Sequence, residues 1–216
     1  PQSSSRLQDY FHFETYDKTT IAQTITKYFQ ENYMKKISVD DIARSAGVNK
    51  SMLYAYFGSK EALYKTVLEA VYQRLNQWEA PIIACANELD GQEAIRKLVN
   101  LYFAYLRENE TYVRMVMWEN LHRARYFDEQ GLAQVRNPIR RALRQILANS
   151  QAQGVFREGI DEKQVLMTLF ACTYNYFSNL YTMDRVLGVS LRAPEEMEQR
   201  AESIAQMLIA YLKRRD

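Results

Sequence analysis

The sequence is poor in residues that break regular structure and in residues that cross-link or bind metals. Its 216 residues include seven glycines and four prolines, about half the average share, which argues against a turn-rich sandwich or barrel. Two isolated cysteines, Cys85 and Cys172, lie in apolar stretches and form neither a disulfide framework nor a thiolate metal cluster. No apolar run reaches the roughly 18 residues of a membrane span, and residues 1–5 lack the pattern of a signal peptide. We therefore expect a reduced, cytoplasmic protein without membrane segments, built from long helices.

The charge is nearly balanced overall but uneven along the chain. Lysine and arginine number 28 against 26 acidic residues, so the net charge of +2 does not indicate a polyanionic partner by itself. Between Lys18 and Lys60, however, seven basic residues face only three acids. Any nucleic-acid surface is therefore expected in this local segment.

Apolar residues recur at spacings of three and four over most of the chain, which predicts an all-α protein. Residues 1–17 show no sustained period and predict a flexible leader. A first helix is expected from Thr19 or Thr20 to about Tyr33. A long helix is expected from Ser59, interrupted at Pro81. Its apolar stripe consists of Leu63, Val67, Val71, Leu75 and Trp78. A further helix is expected from the stripe Ile95, Leu98, Val99, Tyr102 and Leu106.

The pattern from residue 161 onward predicts two helices that a second protein surface must cover. Residues 161–188 are apolar around nearly the whole circumference of one predicted helix, so this helix must be covered on more than one side. The last helix, about 195–213, is expected to turn Leu208 and Tyr211 inward. We expect the two helices to form an isologous four-helix interface with a second copy of the chain.

The most informative segment runs from Ser38 to Leu63 and reads SVDDIARSAGVNKSMLYAYFGSKEAL. Ser38, followed by acids, is suited to the start of one helix, and Asn49 is suited to the start of the next. Gly47 lies between them, where a left-handed backbone is needed, and Ala43 is small enough for the helices to cross. This spacing predicts a helix-turn-helix, whose second helix can enter the major groove of DNA.

The segment from about Thr19 to Val71 closely resembles the N-terminal domain of the TetR/AcrR family of bacterial transcriptional regulators. The resemblance implies a helix-turn-helix domain over 18–62 and a larger helical effector-binding and dimerisation domain over 63–216, with 63–80 as the connecting helix. It also implies a repressor that binds a pseudo-palindromic operator as a dimer and is released by a small apolar or aromatic effector. The residues that carry it are Ile42-Ala43, Ala46-Gly47-Val48, Leu53-Tyr54, Tyr56-Phe57 and Ser59-Lys60-Glu61.

The predicted contacts with double-stranded DNA lie on the second helix of the motif and at its flanks. Lys50 can donate to guanine O6 or N7, and Ser51 is short enough to let the helix approach base edges. Other positions match family positions that commonly bind phosphates. Asp40 stands where some members of the family carry a basic residue that contacts DNA. We therefore do not expect base readout from the first helix of the motif, which begins after Ser38. The predicted DNA-binding residues are Ser38, Val39, Asn49, Lys50, Ser51, Tyr54, Tyr56 and Lys60.

The resemblance further implies an effector pocket between the C-terminal helices, although aromatic and methionine residues at helical spacing more often form plain core packing. The candidates are Tyr102, Phe103, Met115, Trp118, Leu121, His122, Phe170, Tyr174 and Phe177.

The pattern does not predict a metal site, a cofactor or a catalytic site. His122, with Asp128 and Glu129 six and seven residues later, does not form a paired ligand face, and neither a nucleophile elbow nor a phosphate-binding glycine loop is present. Two alternatives remain. One is an architectural or division-linked DNA-binding protein of the same fold without an effector, and the other is a helical enzyme or interaction module.

Overall fold

The structure, a computed structural model, describes residues 20–21, 24–25, 38–126 and 129–214, and for 129–137 it describes the backbone. The contacts divide the chain into two compact units, Pro1–Ala70 and Val71–Asp216. The predicted leader, 1–17, and most of the first predicted helix lie outside the described residues. The all-α prediction is confirmed, since within the described ranges we find helices and a single isolated bridge between Phe156 and Lys213, but no strand.

The N-terminal unit contains two short helices and the start of a long one. Helix α1 spans Val39–Ser45, helix α2 spans Lys50–Phe57, and helix α3 begins at Lys60. Residues 20–21 and 24–25 are also helical, and the isoleucines at positions 21 and 25 are fully buried. The prediction of an apolar stripe on this first helix therefore holds for both of its described isoleucines.

Helix α3 spans Lys60–Ala84 and is longer than predicted. The expected break at Pro81 is wrong, because the helix continues through the proline for another turn. A proline this close to the C-terminal end of a helix removes one backbone donor, and the carbonyl of Pro81 still accepts a bond from Cys85 N at 3.3 Å. The division between the two units falls inside this helix, between Ala70 and Val71, whereas the sequence suggested a boundary at 62/63.

The C-terminal unit is a helical bundle arranged around one central helix. Helix α4 (Gly91–Glu108) packs against α5 (Glu110–Leu121), α6 (Glu129–Ala152), α7 (Glu162–Ser178) and α9 (Pro194–Leu212). All five residues of the stripe predicted for α4 are buried, which explains this central place. They are Ile95, Leu98, Val99, Tyr102 and Leu106.

Two predictions for the C-terminal helices are wrong in detail. The single helix expected over 161–188 is broken at Asn179 into α7 and α8 (Leu180–Leu187). The side-chain amide of Asn179 bonds the Asn175 carbonyl at 3.2 Å, a local alternative to helix continuation that asparagine favours. Tyr211, expected to point inward, is 51% exposed, because Leu208 and Leu212 fill the buried side of α9.

Candidate functional site

The first helix of the motif is held in place by a reciprocal cap. Ser38 Oγ accepts a hydrogen bond from Asp41 N at 3.1 Å, and the Asp41 carboxylate accepts bonds from both Ser38 N and Ser38 Oγ. These bonds, together with the nearby Arg44, lower the pKa of Asp41. Both donors of Ser38 are therefore used within the cap, and the predicted phosphate contact from its hydroxyl would require the cap to open.

Helix α2 is fixed at both ends and on one side, which leaves its other side exposed. Asn49 Oδ1 caps the start by accepting from Met52 N at 2.8 Å, and Gly58 ends the helix with a φ of +76°. Leu53 and Phe57 are buried. The exposed residues include six of the eight predicted DNA-binding residues: Asn49, Lys50, Ser51, Tyr54, Tyr56 and Lys60. Ser38 and Val39 are half-buried.

The turn between the two helices depends on Gly47, as predicted. Its φ of +66° lies in the left-handed region, where a side chain costs about 1 kcal/mol or more. The turn is closed by a bond from Val48 N to the Ala43 carbonyl at 3.0 Å. The angle between the two helices is thus set by backbone geometry that the sequence encodes directly.

A salt bridge that the sequence did not reveal joins the two helices of the motif. Lys50 Nζ lies 3.1 Å from Asp40 Oδ2, and both side chains are at least half exposed. Exposed pairs of this kind contribute about 0–1 kcal/mol, so a DNA partner can displace the carboxylate at little cost. The two residues are ten positions apart and lie on different helices. Helical periodicity, which relates residues on one helix, therefore could not predict this contact.

The nine predicted effector residues fall into two groups in the structure. Tyr102, Phe103 and Met115 are buried. Ring contacts join Tyr102 to Phe170 at 5.1 Å and Phe103 to Phe177 at 5.4 Å between ring centroids. Tyr174 belongs to the same group and donates a hydrogen bond to the Val113 carbonyl at 2.8 Å.

The second group lies at the surface near the end of α5. Trp118 is 50% exposed and stacks on His122 at 4.1 Å between ring centroids. Leu121 is 78% exposed. The structure therefore does not bring these three residues into the buried aromatic group.

The buried group contains a carboxylic acid that the sequence analysis missed. Glu79 of α3 is 2% exposed and accepts a hydrogen bond from the Tyr102 hydroxyl. A signal was present, because Glu79 follows Leu75 by four residues and so continues the apolar stripe of that helix. A glutamate on a stripe of core residues is expected to bury its carboxyl, whereas a glutamate on the solvent-facing side of a helix is not.

Burial changes the acidity of this group. Desolvation raises the pKa of Glu79 from 4.5 to about 7, and the hydrogen bond from Tyr102 opposes that rise only in part. Burial, followed by the charge of Glu79, also raises the pKa of Tyr102 well above its usual value. Among the described residues, Glu79 forms no salt bridge. The carboxyl is therefore present in both protonation states near neutral pH.

Further aromatic rings, two of which interact with the charge of this acid, contact one another. Ring centroids lie 5.6 Å apart for Trp78 and Tyr105, 5.3 Å for Tyr105 and Tyr112, and 5.3 Å for Tyr112 and Tyr72. Burial is the main cause of the raised pKa of Tyr105 and Tyr112, and the charge of Glu79 contributes to both. We call Tyr72, Trp78, Glu79, Tyr102, Tyr105 and Tyr112 the Glu79 cluster.

Within the described part of the chain, no three histidine, cysteine, aspartate or glutamate residues come together as metal ligands. No helix in that part is both long and apolar enough to cross a membrane.

A capped, outward-facing helix that follows a glycine turn defines a helix-turn-helix DNA-binding protein. Comparison with known proteins narrows this class. Residues 21–67 match the family described as "Bacterial regulatory proteins, tetR family", and residues 92–208 match "Tetracyclin repressor-like, C-terminal domain". The chain belongs to the TetR family of bacterial transcriptional regulators, and the predicted resemblance is confirmed.

Relatives by sequence agree over most of the chain. The HTH-type transcriptional repressor NicS of Pseudomonas putida is 28% identical over 91% of this chain and 92% of its own length. The HTH-type transcriptional regulator RutR of Escherichia coli K12 is 26% identical over 82% of this chain and 81% of its own. These proteins are transcriptional regulators, and NicS supports the predicted role as a repressor.

A solved structure agrees in fold. FadR from Bacillus subtilis, in complex with stearoyl-CoA, matches with a TM-score of 0.65 at 17% identity over 89% of this chain and 97% of that one. At this identity the likeness concerns the fold alone.

Proposed function

We propose that this protein is a ligand-responsive repressor, which binds a pseudo-palindromic operator as a homodimer and is released by a small apolar or aromatic effector. The observation that carries the proposal is the exposed outer side of α2, anchored by Leu53 and Phe57 and capped by Asn49. Because its partner is bacterial DNA, the protein works in the cytoplasm.

The exposed side of α2 has the chemistry needed to read DNA. Lys50 exchanges its bond with Asp40 for a bond to guanine O6 or N7, while Ser51 keeps the helix close to the base edges. Tyr54, Tyr56 and Lys60 hold backbone phosphates and fix the register of the helix. Ser38 acts through its cap, which sets the direction of α1, rather than through a phosphate contact.

Affinity for DNA depends on salt because the basic residues are concentrated in one segment. The excess of four positive charges between Lys18 and Lys60 contrasts with +2 for the whole chain. Each phosphate that these residues neutralise releases counterions, so binding weakens steeply as the salt concentration rises.

The dimer is formed by the exposed apolar face of the last three helices. α7 buries Val165, Leu166 and Leu169 within its own unit but leaves other large apolar side chains outside. A second copy covers this face by two-fold symmetry and sets the two reading helices about 34–36 Å apart, or a multiple of that spacing. The exposed apolar side chains are Met167, Phe170, Tyr181, Val186, Leu187, Met207 and Tyr211.

The effector binds in the C-terminal unit among the buried aromatic residues. FadR, solved in complex with stearoyl-CoA, is a precedent for small-molecule binding on this fold. An effector that favours one dimer geometry over another shifts the population away from the form that fits the operator. α3 is suited to transmit this shift, because its residues up to Ala70 belong to one unit and those from Val71 onward to the other.

Fluorescence anisotropy on palindromic DNA from the intergenic regions beside the gene tests the DNA-binding part of the proposal. The double variant Lys50→Ala with Tyr54→Ala removes one base contact and one phosphate contact, so we expect a loss of about tenfold or more in affinity. Lys97→Ala is the matched control, because Lys97 is also about half exposed and has one surface salt bridge, to Glu93 at 2.8 Å. Unchanged binding by the double variant would show that α2 is not the reading helix.

Scanning the same complexes with a library of small aromatic compounds tests the effector part. Release of the operator by some members of the library is the expected result. Constant affinity across the whole library would favour the effector-independent DNA-binding protein instead.

A further inference from the structure

Glu79 is difficult to explain as a purely structural residue. Its side chain is 2% exposed, and the hydrogen bond from Tyr102 is its one polar contact among the described residues. Removing a carboxylate from water without a paired cation costs several kcal/mol, and an apolar residue of similar volume usually serves a core better. A buried acid without a pairing cation, inside an aromatic cluster, is therefore a candidate for ligand recognition.

An acceptor without a partner lies almost one turn earlier on α3. Asn76 Oδ1 is buried and has no hydrogen-bond partner among the residues that the structure describes. Residues three apart on a helix are neighbours, so Asn76 and Glu79 occupy adjoining positions on one side of α3. A hydrogen bond from a ligand donor to either acceptor would lower the free energy of the folded protein.

Apart from Tyr102, two nearby tyrosines donate their hydroxyl protons to backbone carbonyls and not to Glu79 or Asn76. The hydroxyl of Tyr105 donates to the Val71 carbonyl at 3.2 Å, and the hydroxyl of Tyr174 donates to the Val113 carbonyl at 2.8 Å. Their rings offer electron-rich faces, which attract cations and the N–H edges of heterocycles. The aromatic surroundings thus add electron-rich faces to the two acceptor side chains.

The groups facing Glu79 come from several helices, and none of those with a resolved effect on it is cationic. Tyr102 and Tyr105 on α4 and Tyr112 on α5 interact with its charge. Phe170 of α7 packs edge-on against Tyr102. Arg74 of α3 acts on Tyr105. An anionic ligand placed beside the ionised Glu79 would meet like charge.

We infer that Glu79 and Asn76 form the polar end of the effector site, and that the effector is an aromatic nitrogen compound that donates N–H hydrogen bonds, as a cation or as a neutral amide or amine. This inference rests on the proposed function, since it identifies the chemistry of an effector whose existence is itself proposed. Carboxylates and phosphates are disfavoured as effectors, whatever the shape of their apolar part.

The test uses matched triads of aromatic compounds in which the same ring system carries an aminomethyl, a carboxamide or a carboxylate group. Ring systems of one and two rings cover a range of sizes. Thermal shifts and calorimetric titration of the full-length protein measure binding, and operator release in the anisotropy assay measures response. We expect amines and amides to stabilise the protein and release DNA, and the carboxylates of the same ring systems to do neither.

Two variants connect this selectivity to the proposed residues. Glu79→Gln keeps the shape and an acceptor for Tyr102 but removes the charge, so amines should bind about tenfold more weakly while amides change less. Asn76→Leu removes the second acceptor and should weaken both classes. Melting curves without ligand confirm that the variants are folded, and Lys97→Ala again serves as the control for a distant change.

The outcomes separate this inference from the proposed function. Operator release by carboxylates, with amines inactive, would overturn the assigned chemistry and leave the effector-responsive repressor intact. Equal amine binding by wild type and Glu79→Gln would overturn the role of Glu79. This inference would also be overturned if no triad member changed DNA binding or produced a thermal shift. Whether any effector exists is decided separately by the wider aromatic library.

Discussion

Glu79 makes a quantitative contribution to the pH dependence of stability. Its pKa is about 7 in the folded protein and close to 4.5 when the chain is unfolded. A difference of this size corresponds to about 3 kcal/mol, at roughly 1.4 kcal/mol per pKa unit. Because the folded state holds the proton more tightly, this contribution is fully present below pH 4.5 and is lost as the pH rises to about 7.

The variant Glu79→Gln isolates this contribution because glutamine does not titrate. Other acids with shifted pKa, such as Glu162 beside Arg144 and Arg140, are common to both proteins and cancel in the difference. We expect the stability of the variant relative to wild type to increase by about 3 kcal/mol between pH 4.5 and pH 8.

Urea unfolding followed by circular dichroism measures this difference at a series of pH values. Protein concentration must be held constant, because the stability of the proposed dimer would depend on it. Lys97→Ala is the control, since it alters a surface pair on the same unit without touching the cluster. A difference between Glu79→Gln and wild type that is constant with pH would refute the burial of an unpaired carboxyl.

Three further predictions concern other parts of the chain. Asp40→Asn removes the carboxylate that holds Lys50 and should raise DNA affinity a few-fold, measured by anisotropy, and weaker binding would contradict this. Gly91→Ala places a Cβ 2.1 Å from Ser150 Oγ and should lower the free energy of unfolding by about 1–3 kcal/mol in urea titration, so wild-type stability would speak against this packing. Val186→Glu places a charge on the exposed apolar face proposed as the dimer interface, so sedimentation equilibrium should show a shift from dimer to monomer. An unaffected dimer would show that Val186 lies outside the interface.

The sequence could predict those features that local chemistry determines. Ser38 and Asn49 were expected to start helices, and Gly47 to turn the chain between them, because capping and a positive φ depend on single side chains. The stripe on α4 was predicted because its period of 3.6 residues is long and regular.

Features that depend on tertiary contact were not predictable in the same way. The break at Asn179 replaces one predicted helix by two, although the apolar pattern continues across it. Trp118 is exposed although its residue type favours burial, since only the bundle decides which side of α5 faces inward. Asp40 and Lys50 pair across the turn between two helices, and helical periodicity predicts contacts only within one helix.

The energy stored at Glu79 is of the size that an allosteric response needs. An effector that donates to the carboxyl offsets part of the burial cost of about 3 kcal/mol. If this relief is available in only one of two dimer geometries, the operator affinity changes by up to roughly a hundredfold. We therefore expect that a proposed effector which donates to Glu79 in only one of the two geometries binds that geometry more tightly, and so shifts the population between them.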